Sequence, residues 1–177
     1  MENKRGFTII ELIVVIAIIA VLAVIVSTSV NFYVVKSRDA RRKADIEPIQ
    51  KALEMYYAEY SHYPISLNDT NDCPSQAWSN SNDESWANLQ TALAPYLSKL
   101  PEDPKQTTSG CPSRSTGYSY TYYRYYSSTC ELYVLVYRLE IAEGPDTGAY
   151  ISCTGSLQRY GGTGENTYVK TVGVRRP

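Results

Sequence analysis

Residues 12–26 are apolar without a break, and between Phe7 and Val26 only Thr8 and Glu11 interrupt the run. Twenty helical residues extend about 30 Å, the thickness of a bilayer's hydrocarbon core. The chain therefore starts with either a membrane-inserted helix or a secretory signal. The run exceeds the roughly 7–15 residues of a signal's apolar region, and "VIVSTSVNFY" offers no small-x-small cleavage site. A spanning helix fits better. Glu11 is then the anomaly, because a carboxylate at membrane depth costs about 2–3 kcal/mol or more. On position alone it reads as an acid snorkelling to the interface, about 6 Å along the helix from Phe7.

The remaining sequence has a different character. Beyond about Ser61 it is rich in Tyr, Ser, Thr, Asn and Gly, and it holds all four cysteines, Cys73, Cys111, Cys130 and Cys153. No CxxC spacing exists, so zinc is disfavoured and two disulfides in an oxidising compartment are expected. Three pairings are open; Cys73–Cys111 with Cys130–Cys153 is favoured because each closes a moderate loop. The bases of "KSRDARRK" after the apolar run argue for a cytoplasmic C-terminal side. The cysteines argue for the outside. The cysteines carry more weight, because the charge rule loses force for long translocated domains.

The helical register continues past the apolar run. Acid–base pairs recur at Asp39–Lys43, Arg41–Asp45, Lys43–Glu47 and Glu47–Lys51. Ile46, Ile49, Leu53, Tyr56 or Tyr57, and Tyr60 form an apolar stripe at steps of three and four. Pro48 is expected to kink this helix, and "SHYP" to end it. From Phe7 to Tyr60 the helix would be about 80 Å long. Residues 61–82 read as loop. A short helix opens at Asp83 or Glu84 with Trp86, Leu89 and Leu93 on one face, and Pro95 lies near its end. "GYSYTYYRYY", "ELYVLVYRLEI", "AYISC" and "TYVKTVGV" read as strands. The expected fold class is α+β, with one long helix whose stripe covers an antiparallel sheet of three or four strands.

The start of the chain, "KRGFTIIEL" followed by the apolar run, resembles the class III signal of type IV pilins and of the major pseudopilins of type II secretion. The later "ALEMYY", "HYP" and "LPEDP" are similar to the same family but less specific. The resemblance implies cleavage by prepilin peptidase between Gly6 and Phe7 and N-methylation of Phe7. It places Glu11 fifth in the mature chain, where the family carries a glutamate. It implies residues 1–6 as leader, 7–29 as transmembrane and filament-core helix, 30–60 as its amphipathic continuation and 61–177 as an extracytoplasmic head. The precursor would wait as a single-pass protein of the cytoplasmic membrane, N-terminus in the cytoplasm. A platform protein and ATPase would then assemble it into an extracellular homopolymer. On this reading Glu11 meets the Phe7 amine of a neighbouring subunit and sets the register. Many relatives carry a proline near the position of Thr28, which is absent here.

Other readings fare worse. "GGTGEN" lacks the Gly-Lys-Ser/Thr ending of a phosphate loop. His62 is the sole histidine, so no catalytic dyad is built on it, and an enzyme is not expected. No cofactor or metal is expected: the acidic turns Asp69–Asp72 and Glu143–Asp146 do not follow calcium-loop spacing. "KSRDARRK" reads as bases paired within the helix or to neighbours in a filament rather than as a site for nucleic acid or lipid head groups, and the tyrosines of 118–126 as sheet packing rather than an adhesive surface. The rivals left are a secretion pseudopilin and a plain membrane anchor displaying a binding domain.

Overall fold

The computed structural model describes residues 7–66, 78–107, 117–144, 150–158 and 168–176. Helix α1 runs Ile9–Tyr60 and passes Pro48 without a break. It stops where "SHYP" forbids continuation: Ser61 turns to a positive φ of 58° and donates its N–H to the Tyr57 carbonyl at 2.8 Å. The chain divides into two compact units, Met1–Ser37 and Arg38–Pro177.

In the first unit, the side chains from Ile9 to Val24 are exposed. Among the described residues no helical stretch is long and apolar enough to cross a membrane. The stretch Ile9 to Val24 extends about 24 Å, short of a hydrocarbon core of about 30 Å.

The second unit adds β1 (Trp78–Asn80), α2 (Ser85–Leu93), β2 (Thr121–Ser127), β3 (Cys130–Arg138), β4 (Tyr150–Ile151), β5 (Leu157–Gln158) and β6 (Val169–Arg176). The fold is α+β and pilin-like, a helix followed by a four-stranded sheet in the order β1-β2-β3-β6. All of its pairings are antiparallel. β2 and β3 are joined by the tight turn Ser128–Thr129, with Ser127 opposite Cys130.

Ile46, Ile49, Ala52 and Leu53 of α1 pack on one sheet face against Tyr122, Tyr133 and Leu135. The stripe ends earlier than its spacing implies. Tyr60 is 47% exposed, and Ala52 takes part instead. α2 buries Trp86, Leu89 and Leu93 in the same core, and Trp86 Nε1 donates to the Pro101 carbonyl at 3.1 Å. The tyrosines insert polar tips into this layer. Tyr120 donates to Asp45 at 2.8 Å and Tyr122 to the Pro64 carbonyl at 2.7 Å. A buried phenol is tolerated only with such a partner.

Two expectations are corrected. Trp78–Asn80 lies within the expected loop 61–82 yet pairs with Thr121–Tyr123. "AYISC" supplies β4, which pairs with β5 in a separate two-stranded ribbon rather than joining the main sheet. The sheet is also apolar on both faces: Trp78, Leu132, Val134, Val136 and Val169 form a second cluster, so β3 is buried almost throughout.

Cys130 and Cys153 form a disulfide that ties the start of β3 to the turn after β4. Cys73 and Cys111 lie outside the described residues. The Cys130–Cys153 bond closes a separation of 23 residues. Replacing both cysteines with serine is expected to cost about 3 kcal/mol through the unfolded chain's regained entropy. Denaturant unfolding of the double variant beside wild type checks this.

Candidate functional site

Two constellations organise the polar chemistry, one in each unit. The first opens α1. Thr8 precedes the helix, and its N–H and hydroxyl both donate to Glu11 Oε2 at 2.8 Å. Glu11 N–H in turn donates to Thr8 Oγ1 at 3.3 Å. This is a reciprocal capping box, in which each side chain satisfies a backbone donor that the first helical turn leaves orphaned. Its signature, Thr-x-x-Glu, stands in the sequence as Thr8-Ile9-Ile10-Glu11 and was readable there. Glu11 therefore has an intrachain partner in the single subunit. Phe7, just outside the cap, is 86% exposed. Gly6 lies outside the described residues.

An exposed aromatic, Phe7, thus stands four residues before the capped glutamate, and an exposed apolar helical stretch follows. The family model for the prokaryotic N-terminal methylation motif matches residues 1–27. The chain carries that methylation motif. The motif is consistent with the type IV pilin and pseudopilin family and points to a structural subunit. It implies handling by prepilin peptidase and a pilus-type assembly machinery, and it fits a membrane-anchored precursor. No curated protein and no solved structure matches the chain.

Beyond the methylation motif, in the second unit, the centre is Arg42, whose side chain is fully buried. It donates through Nε and Nη2 to both Asp103 oxygens at 2.7 and 2.8 Å. Nη1 donates to Asp39 at 2.7 Å and Glu140 at 2.9 Å. Glu140 also accepts from Arg38 at 2.6 and 2.7 Å and from Lys105 at 2.9 Å. Asp39 in turn accepts the Glu140 and Ile141 N–H groups just beyond β3. One guanidinium thus clasps α1, the "LPEDP" loop and the end of β3.

The bases of "KSRDARRK" pair within the helix only in part, and Arg38, Arg42 and Lys43 reach carboxylates beyond it. Asp39 pairs with Arg42 rather than Lys43, and Lys43 reaches Glu143. Only Arg41–Asp45 at 3.6 Å and Glu47–Lys51 at 2.6 Å keep the i, i+4 pairing.

Burial works against the Arg42 charge, but its bonds to Asp103, Glu140 and Asp39 hold its pKa above the ordinary value. Burial likewise pushes Glu140 up, and the bonds from Arg38, Lys105 and Arg42 overcome it, leaving Glu140 at about 2. A carboxyl depressed in the folded state stabilises fully above its unfolded value of about 4.5, and the contribution fades as pH falls toward 2. Wild type is therefore expected to lose melting temperature between pH 5 and 2 more steeply than Glu140→Gln, the two converging near pH 2. Parallel curves for the two proteins would remove Glu140 from the account.

Among the described residues no cluster of His, Cys, Asp and Glu has the arrangement of a metal site. The carboxylates of Asp39, Asp103 and Glu140 that converge here each accept from Arg42.

Proposed function

We propose that the chain is the precursor of a structural subunit of a type IV pilus-like surface filament. The observation that carries this reading is the methylation motif over residues 1–27, joined directly to an exposed apolar helix. Peptidase hydrolysis of the Gly6–Phe7 bond would release a new α-amine on Phe7, which then takes the methyl group. The apolar run continues in the sequence to Val26, and on this reading it spans the cytoplasmic membrane until assembly. The platform protein and ATPase would draw the subunit out and add it to a homopolymer whose core is the packed apolar helices. The disulfide-tied head would face outward.

Glu11 is assigned to register. In the lone subunit its carboxylate is held by Thr8. In the filament the cleaved amine of Phe7 on a neighbouring copy offers a full positive charge, which a neutral hydroxyl does not. At low dielectric the ion pair outweighs the neutral bonds, while a misregistered copy leaves both charges unpaired. The capping geometry also supplies the resting state, so the precursor does not hold a bare carboxylate while it waits.

A secretion pseudopilus, short and periplasmic, is the second reading. The "LPEDP" segment that supplies Asp103 favours it through the family resemblance. Shearing distinguishes the two: surface-exposed polymer released from intact cells supports the pilus, and processed subunit retained in the envelope supports the pseudopilus. Adhesion, twitching motility and DNA uptake are the roles open to a surface filament.

A further inference from the structure

The polar cluster around Tyr118 does not balance. Three cations stand over its ring: Lys105 with Nζ 4.7 Å from the centroid, and Arg42 and Arg138 with Cζ at 4.8 and 5.4 Å. The carboxylates of Asp39, Asp103 and Glu140 are committed to Arg38, Arg42 and Lys105. Arg138 receives none of them. Its Nε and Nη1 are buried from solvent and have no hydrogen-bond partner among the described residues. Its Cζ also lies 5.8 Å from the centroid of the Tyr168 ring.

Aromatic faces stabilise a guanidinium but leave its charge and its N–H donors unspent. Arg138 as a residue is half-buried, but a native protein rarely keeps two buried donors unpaired. Arg38, Arg42 and Lys105 are balanced by the three carboxylates, so the surplus positive charge of the cluster is that of Arg138. Tyr168 is 38% exposed, so its ring borders solvent.

We propose that Arg138 is the floor of an oxyanion-binding site, entered by displacement of Tyr168, whose ligand is a small phosphate- or sulfate-type anion. The bound anion accepts from the Arg138 guanidinium and neutralises the surplus charge of the cluster. The site lies in the second unit and does not depend on the filament reading.

The test uses the full chain in detergent and inorganic phosphate, with chloride at equal ionic strength as control. Phosphate is expected to raise the melting temperature saturably, by roughly 5–10 °C at 100 times its Kd. Arg138→Met is expected to abolish the rise. Equilibrium dialysis of wild type should give about one phosphate per chain. A wild-type shift no larger than that in chloride overturns the proposal, as does an equal shift in Arg138→Met. Nitrogen-15 spectra of labelled arginine give a readout that requires no folded variant: the Arg138 Nε–H resonance should move with phosphate. An unmoved resonance also overturns the site.

Discussion

Arg42→Ala is expected to destabilise the second unit by about 3–5 kcal/mol, the cost of removing one partner from a buried ion pair. The expectation rests on what is left behind. Asp39, Asp103 and Glu140 lose the cation they share, and the Asp103 side chain is fully buried with no solvent to replace it. In a domain of this size the loss lowers the melting temperature by roughly 10 °C. Arg42→Lys should lose less. It keeps the charge, but a single ammonium does not reproduce the two-pronged bond to Asp103 while also reaching Asp39 and Glu140. Thermal unfolding of the three proteins at pH 7 provides the comparison. Equal stability of wild type and Arg42→Ala would show that the clasp contributes nothing net.

The second large effect concerns assembly. Glu11→Gln is expected to keep the capping box, since an amide oxygen still accepts from Thr8, while removing the negative charge. Membrane levels of the subunit should stay unchanged, and filament yield should fall by more than about tenfold, the scale of a lost charge pair at low dielectric. Glu11→Ala removes both features and should assemble no better. Quantifying sheared filament against total subunit for each variant reads the two roles separately. Normal yield from Glu11→Gln with reduced yield from Glu11→Ala would assign Glu11 to capping alone and end the registry idea.

The sequence was legible where a single segment decides the outcome. The spacing of Ile46, Ile49 and Leu53 specified the buried face of α1, and "SHYP" specified its end. Trp86, Leu89 and Leu93 did the same for α2. The tyrosine run reads as strand, and its packing role holds for Tyr120 and Tyr122, while Tyr126 stays 67% exposed. Legibility failed where distant segments decide. Three residues, "WSN", carry no periodicity, and only pairing with β2 makes them a strand. β4 has strand character, but nothing within it says that β5 rather than the main sheet is its partner.

Arg42 is the clearest case. Its local neighbours place it on a charged helix surface, and its partners Asp103 and Glu140 lie 61 and 98 residues away. The one hint was an acid held between prolines in "LPEDP", a stiff segment suited to presenting a fixed carboxylate. The Glu11 cap was missed for a different reason. The Thr-x-x-Glu pattern stands in the sequence, but there the same carboxylate has two candidate partners, the Thr8 cap within the chain and an amine of a neighbouring copy.

On the proposed reading this chain is cut at Gly6–Phe7, methylated and built into a surface polymer. Intact-mass spectrometry of material sheared from native cells tests it most directly. The account predicts a chain that begins at Phe7, is one methyl group heavier than its sequence and has all its cysteines oxidised. A full-length chain beginning at Met1 and confined to the membranes of peptidase-competent cells would contradict it.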